Sequence, residues 1–312
     1  MEKDNIGIDV SKRWLDAHRL STAEAARFAN DRDGHAALLR WIGRHPVARI
    51  VYEPTGRYHR EVERRLAAAD LPLVKVNPRH ARRFCEALGA RAKTNRADAA
   101  MLARMGAALA LQPRTEQSQS LRDLNDLLAA RRALVKDRTA AKNRAKGLTL
   151  PLLRRQNAAR LRRIKADIAA IDEAVAALLS ATPELAERHA ILSSIPGLGD
   201  VTAAALLALA PELGALDQRQ IASLAGLAPI TRQSGAWRGR AFIRGGRAML
   251  REALYMPALA ASQHNPDAKR LFRRLSQNGK PAKVALTAVM RKLKVLANAL
   301  LRDQRRWTPK AG

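Results

Sequence analysis

Cysteine is all but missing from this sequence, acids are scarce and aromatic rings are few. A single Cys85 in 312 residues excludes a disulfide framework and a multi-cysteine metal site. Phe, Trp and Tyr together make up 4 %, which leaves few platforms on which unpaired bases could stack. No uncharged apolar run reaches the roughly 18 residues that a membrane span needs, and no apolar signal core follows Met1 to Asp4. A Gly-x-x-x-x-Gly-Lys-Ser/Thr phosphate loop is absent as well, so nothing points to ATP. The expectation is a soluble, intracellular protein.

Cations, by contrast, are abundant. Lys and Arg number 57 against 28 Asp and Glu, a formal net charge of +29. Such a charge opposes compaction and calls for a polyanionic partner, of which nucleic acid is the commonest. The basic residues run through the whole chain rather than along one amphipathic helix, which disfavours a membrane surface. With 47 % hydrophobic residues there is ample material for a core, and the length suits about two domains.

The chain changes character along its length. Residues 1–114 alternate strand-like and helix-like segments, with strands expected at Asn5–Val10, Trp14–Leu20, Ala25–Asn30, Arg49–Tyr52 and Leu73–Val76. Helices are expected at Asp33–Arg44, Arg57–Ala69 and Pro78–Leu88, which makes this an α/β domain. Residues 115–188 read as helical, broken at Pro151. Ile164, Ile168, Ile171, Val175 and Leu178 step by four, three, four and three, the spacing of a coiled-coil seam. The pair reads either as a hairpin packed within one protomer or as a dimerisation stalk, and the stalk is favoured because so little else covers so long a pair. Residues 189–312 form a third, mostly α-helical region. From residue 270 onward it carries twelve Lys and Arg against Asp303 alone, and Val284–Leu301 keeps a helical apolar pattern, so a basic amphipathic helix is expected. Lys283, Arg291 and Lys292 are its candidate phosphate contacts.

Three acidic motifs stand out in so basic a chain. Asp9 lies in the first strand within Gly7-Ile8-Asp9-Val10-Ser11-Lys12, Glu53 ends another strand in Glu53-Pro54-Thr55-Gly56, and Asp98 opens a helix within Lys93-Thr94-Asn95-Arg96-Ala97-Asp98-Ala99. Taken singly, a strand-end acid such as Asp9 or Glu53 is more often a turn former or a surface residue, and Asp98 reads also as an ordinary first-turn helix acid. Together they suit divalent cations, which take oxygen ligands, and paired metals promote phosphoryl transfer. Asn95 shares a helical face with Asp98. Further on, Ser193 to Ala204 reads as helix, Gly-flanked turn and helix, in which Gly197 and Gly199 let backbone N–H groups approach a phosphate, or as a plain αα turn. Finally Ser234-Gly235 sits among Arg232, Arg238, Arg240, Arg244 and Arg247. Guanidinium groups grip phosphate, but no neighbouring His or Lys is an evident base for Ser234. From composition alone, an arginine loop with a bystander serine is the plainer reading.

These motifs, together with Ile195-Pro196-Gly197-Leu198-Gly199 and Gly226-Leu227-Ala228-Pro229, occur in one order over nearly the whole chain. The chain resembles insertion-sequence transposases of the IS-one-ten (Piv/DEDD) family, bridge-RNA-guided DNA recombinases. The resemblance implies an N-terminal RuvC-like (ribonuclease-H-type) domain, a helical coiled-coil insertion and a C-terminal transposase domain with a helix-hairpin-helix. It implies a Mg2+ site at Asp9, Glu53 and Asp98, with Asn95 standing where the family has a fourth acid. An amide still offers an oxygen, but it brings no charge, so Mg2+ affinity should fall. It further implies Ser234 as a nucleophile forming a covalent phosphoserine link to DNA. Donor and target DNA and an element-encoded bridge RNA would be partners, and dimers or tetramers would join the acids of one protomer to the serine of another. The place of action would be the bacterial cytoplasm, at the nucleoid. Two rivals stand beside this reading: a metal-dependent nuclease or junction resolvase that uses water, and a nucleic-acid-binding protein disabled by Asn95.

Overall fold

A computed structural model describes residues 3–43, 46–89, 95–113, 118–235 and 237–309, with backbone alone for Asn95 and Arg96. The chain divides into two compact units, Met1–Glu116 and Gln117–Gly312. The fold is mixed α/β, with a small mixed sheet and twelve helices among the described residues. None of these helices is long and apolar enough to cross a membrane.

The first unit is built on a five-stranded sheet. Strands β1 (Asp4–Val10), β2 (Trp14–Arg19) and β3 (Ala25–Ala29) form an antiparallel meander. After helix α1 (Arg32–Ile42), strand β4 (Val47–Tyr52) joins β1 in parallel. Helix α2 (Arg60–Ala68) leads to β5 (Leu73–Lys75), parallel to β4, so the order is β3-β2-β1-β4-β5. Helices α3 (Pro78–Ala87) and α4 (Asn95–Ala108) complete the unit. Strand alternation divides β1 between two faces. Ile6, Ile8 and Val10 pack with Leu38 and Ile42 of α1 and Val62 and Leu66 of α2. On the opposite face Val51 and Val74 pack with Leu102 and Met105 of α4. Helix α2 starts three residues later than the spacing predicts, because the chain first makes a turn in which the Tyr58 N–H donates to the Thr55 carbonyl at 3.0 Å.

The second unit opens with α5 (Gln119–Ala145) and α6 (Pro151–Ala181), two long helices packed on each other. Ile164, Ile168, Val175 and Leu179 of α6 are buried, and Leu121, Leu124, Leu127 and Leu128 of α5 lie in the same core. The apolar seam is thus covered within the chain, which is the hairpin reading. No partner is needed to bury it. Helix α7 (Pro183–Ser193) begins anew at Pro183, where the missing N–H cannot continue α6. Packing is continuous across residue 188, since Leu124 and Val175 share one core with Leu206, Leu254 and Leu293. The remaining elements are α8 (Asp200–Leu209), α9 (Gln218–Leu224), four two-residue strands, α10 (Ala248–His264), α11 (Pro266–Gln277) and α12 (Ala282–Arg302).

Helix α12 departs from the expected basic tail. Ten of its residues are buried, so it is a core element with one cationic edge that carries Lys283, Arg291 and Lys292. Lys294 points inward, 1 % exposed, and its Nζ has no hydrogen-bond partner. Burial, and then the nearby Arg247 charge, lowers its pKa to about 7, while Glu212 acts in the opposite sense. Between about pH 7 and 10.5 the unfolded chain holds this proton and the folded chain does not, so stability rises with pH across that window. Below pH 7 the folded protein carries a buried ammonium at a cost on the order of 5 kcal/mol. Lys294→Met is therefore expected to raise the urea midpoint at pH 6.5 and to flatten its rise toward pH 10. An unchanged midpoint would mean that water or an anion already reaches the Nζ.

Candidate active site

The acidic motifs meet on the α4 face of the sheet. Asp9 follows Gly7 on that face of β1, and Glu53 follows Val51 on the adjacent β4, where Ile8 and Tyr52 are register partners. On the other side, Asp16 of β2 lies directly across from Asp9, and Arg27 of β3 directly across from Asp16. The sheet thus carries a row, Arg27–Asp16–Asp9, with Glu53 just beyond the end of β4. Arg27 grips Asp16, Nε to Oδ1 at 2.8 Å and Nη2 to Oδ2 at 3.3 Å. The buried Asp16 thus has a partner within the row, whereas Asp9 faces acids, Asp16 among them.

Asp98 reaches this face because α4 lies directly on β1. A Cβ at Gly7 would overlap the carbonyl oxygen of Ala99, and one at Gly106 would overlap the Val51 side chain. Ala99 and Ala103 are wholly buried. Glycine on the strand and alanines on the helix bring the two backbones together, and Asp98, one residue before Ala99, comes with them. Arg49 secures the far end of α4 by donating from Nη1 to the Gly106 carbonyl at 2.5 Å.

The electrostatics follow from this placement. Burial, then the charges of Asp98, Asp16 and Glu53, push the Asp9 carboxyl up to about 6, against a hydrogen bond from the Val10 N–H. The Cys85 thiol is raised by burial and by the same Asp98 and Glu53 charges, which marks it as a neighbour of the site. Among the described residues no three His, Cys, Asp or Glu side chains are close enough to form a ready metal cage. The donor chemistry nonetheless fits a hard divalent cation: mutually repelling carboxylates are what such an ion would neutralise, and Mg2+ keeps several waters. Asn95 is the first residue of α4, one turn before Asp98. Its side chain, with Lys93 and Thr94, lies outside the described residues.

Ser234 belongs to the second unit and lies on a β-ribbon between α9 and α10. Strand β6 (Pro229–Ile230) pairs with β9 (Phe242–Ile243), and β7 (Gln233–Ser234) with β8 (Trp237–Arg238), all antiparallel. Ser234 is exposed at the ribbon's end, opposite Trp237 and beside Gly235. At the ribbon's base the backbones of Gly226 and Gly246 approach so closely that a Cβ on either would strike the other strand. Arg251 donates from Nη1 to the carbonyls of Ala225 (3.0 Å) and Gly245 (2.9 Å), closing the base. Arg232, Arg238, Arg240 and Arg244 are exposed, with Arg232 also stacked 4.5 Å over the Phe242 ring.

Arg247, grouped with these by sequence, has another task. Its guanidinium holds Glu212 at 2.5 and 2.9 Å and donates to the Leu209 carbonyl at 2.6 Å, so it anchors the ribbon to α8 and is not presented to a ligand. Gly197 likewise faces inward. A Cβ there would crowd Ala261 of α10, and Asn265 reaches the Pro196 carbonyl at 3.4 Å, so its small size serves packing. Gly199 opens to solvent at the start of α8. Sequence reading missed Asp16, Arg27 and Glu212. The cross-strand spacing of Asp9 and Asp16 about the Ser11–Arg13 turn was the available signal for the first of these. For Arg27 and Glu212 only the folded chain supplies the partner.

Comparison with known proteins shows the family of the chain. A transposase family model, that of the DEDD IS110 transposases, matches residues 6–151, and the "Transposase IS116/IS110/IS902 family" model matches residues 189–273. The pilin gene-inverting proteins of Moraxella bovis and Moraxella lacunata are each 31 % identical over 98 % of both chains. The 43.6 kDa protein of insertion element IS110 from Streptomyces coelicolor is 33 % identical over 43 % of this chain and 33 % of its own. The chain belongs to the IS110 transposase family and is a DNA transposase/recombinase.

Proposed function

We propose that this transposase cuts and rejoins DNA through a covalent bond between Ser234 and a strand-end phosphate, assisted by Mg2+ at the acidic site. The observation that carries the reading is a division of chemistry between the units. Residues 226–247 contain no Asp, Glu, His or Lys; Arg232, Arg238, Arg240 and Arg244 are exposed around the serine. The first unit gathers carboxylates whose mutual repulsion is felt at Asp9. A serine without a base and an acid cluster without a nucleophile each supply what the other lacks.

In the covalent step Ser234 Oγ bonds to phosphorus, one P–O bond of the strand breaks, and the released hydroxyl ends with a proton. The phosphodiester energy stays in the phosphoserine, so rejoining to a new strand hydroxyl needs no nucleotide. Arg232, Arg238, Arg240 and Arg244 orient the phosphate and balance its charge. When bound at Asp9, Glu53 and Asp98, with Asn95 as a neutral fourth ligand, Mg2+ supplies Lewis acidity at a phosphate oxygen.

The mixed sheet, three antiparallel strands followed by two parallel ones, supports the RuvC-like reading of the first unit. The α5–α6 pair stands for the coiled-coil insertion. The α7–turn–α8 segment stands for the helix-hairpin-helix, with Gly199, Lys283, Arg291 and Lys292 as backbone contacts. Site choice falls to a bridge RNA that pairs with donor and target DNA, and a dimer or tetramer unites serine and acids from different protomers. The setting is the bacterial cytoplasm, on the nucleoid.

Asn95→Asp is expected to lower the Mg2+ concentration for half-maximal cleavage by about tenfold, since a fourth charge joins the site. EDTA should abolish cleavage by either form. Cleavage that persists in EDTA would overturn the metal assignment, and identical Mg2+ curves would remove position 95 from the ligand set. For the guide, sequencing of copurified RNA is expected to return one dominant small transcript. A random mixture would count against RNA guidance.

A further inference from the structure

The α5–α6 hairpin changes character toward its tip. Near its base the seam is apolar, with Leu124, Ile168, Val175 and Leu179 buried. In the distal half only Ala141 and Ile164 are buried, and the helices are tied by Asn157 donating to the Ala141 carbonyl at 3.0 Å. That same half is intensely basic. Residues 131–165 hold thirteen Lys and Arg and a single acid, Asp137. Arg131 is engaged by Asp172 and Arg163 by Asp167. Arg132, Lys136, Lys142, Arg144, Arg155 and Arg162 are exposed. A cleft of about 430 Å³ between the helices is lined by Asp137, Arg144, Arg160 and Ile164.

Such a cluster does nothing for folding. Like charges on two adjacent helices repel, and the thin apolar seam offsets little of that. The surface therefore needs polyanion contact to be explained. It has no Phe, Trp or Tyr between residues 119 and 181, so it offers no aromatic platform for unpaired bases and suits the backbone of a duplex. Residues 151–165 extend for about 22 Å at 1.5 Å per residue, the length of roughly six base pairs of B-form DNA.

We propose that the distal half of this hairpin is a sequence-indifferent clamp on the phosphate backbone of double-stranded DNA. Arg144 and Arg160 flank a seat for one phosphate in the cleft, and the exposed cations of both helices follow the strand on either side. The clamp includes none of the residues assigned to strand cleavage, so it stands or falls independently of that chemistry.

Hydrogen exchange of the full chain, with and without a DNA duplex of about thirty base pairs, tests this. Amides of residues 132–165 are expected to exchange at least about tenfold more slowly with DNA, because the bound polyanion removes the repulsion that favours local opening. A variant combining Lys142→Gln, Arg144→Gln, Arg155→Gln and Arg162→Gln should make the slope of log affinity against log salt shallower by about three. It should also melt at a higher temperature, which no loss of structural contacts would produce. Unchanged exchange, an unchanged salt slope, or protection by an RNA duplex but not by DNA would overturn the clamp. Should the quadruple variant fail to fold, the exchange measurement on the natural chain still decides. The charge-conserving Arg144→Lys and Arg155→Lys pair is expected to keep the original slope.

Discussion

Replacing Ser234 with Ala is expected to eliminate any protein–DNA adduct and to reduce recombination on the order of a thousandfold or more, as loss of a nucleophile does elsewhere. The change should cost almost nothing in stability. Ser234 is exposed at the end of a ribbon whose base is closed by Gly226, Gly246 and Arg251, well away from the serine itself. An equal melting temperature with no adduct would separate chemistry from folding. Ser234→Cys offers a second reading, since a thiol keeps the position but changes the leaving-group chemistry. The measurement is a denaturing gel of end-labelled DNA after reaction. If Ser234→Ala still yields recombinant product at the natural rate, the serine is a bystander and the water-attacking nuclease reading takes over.

Asp9→Asn is expected to have two effects of opposite sign. Cleavage should fall by about three orders of magnitude, because an isosteric amide removes the central charge of the proposed metal site. Stability should rise by on the order of 1–2 kcal/mol, because Asp9 is half-buried and repelled by Asp98, Asp16 and Glu53. A purely structural aspartate would lose stability on the same substitution. Calorimetry alongside a cleavage assay distinguishes the two. Asp16→Asn provides the contrast: Asp16 is bound by Arg27, and removing its charge leaves that guanidinium without its partner, so stability should drop.

Much of this site was legible in the sequence, for reasons that can be named. Asp9, Glu53 and Asp98 stand out because acids are rare in the chain: Asp9 interrupts an apolar strand, Glu53 ends a strand before Pro54, and Asp98 opens a helix. The strands were legible because β1, β2 and β4 alternate or run apolar, and α6 because its isoleucines and valine keep heptad spacing. Whether that seam faces a neighbour or the same chain is not a property of one helix. It is decided by α5, whose leucines cover it. The arginines show the same boundary. Sequence groups Arg247 with Arg232, Arg238, Arg240 and Arg244, yet only the fold brings Glu212 and the Leu209 carbonyl to it. Gly197 carried a turn signal that was correct, but its contact with Ala261 depends on α10, more than fifty residues away in sequence. Lys294 was counted among the tail's cations because its apolar surroundings arise from α12 entering the core. Residues read well from sequence when their role depends on near neighbours, and poorly when it depends on a partner brought in by folding.

The most direct test is mass spectrometry of the protein after reaction with DNA and digestion of both polymers. Cleavage after Arg232 and Arg238 releases the peptide 233–238, and this peptide is expected to carry a nucleotide phosphate on Ser234. An unmodified 233–238 peptide together with free 5′-phosphate DNA ends, or a nucleotide attached to a different residue, would contradict it.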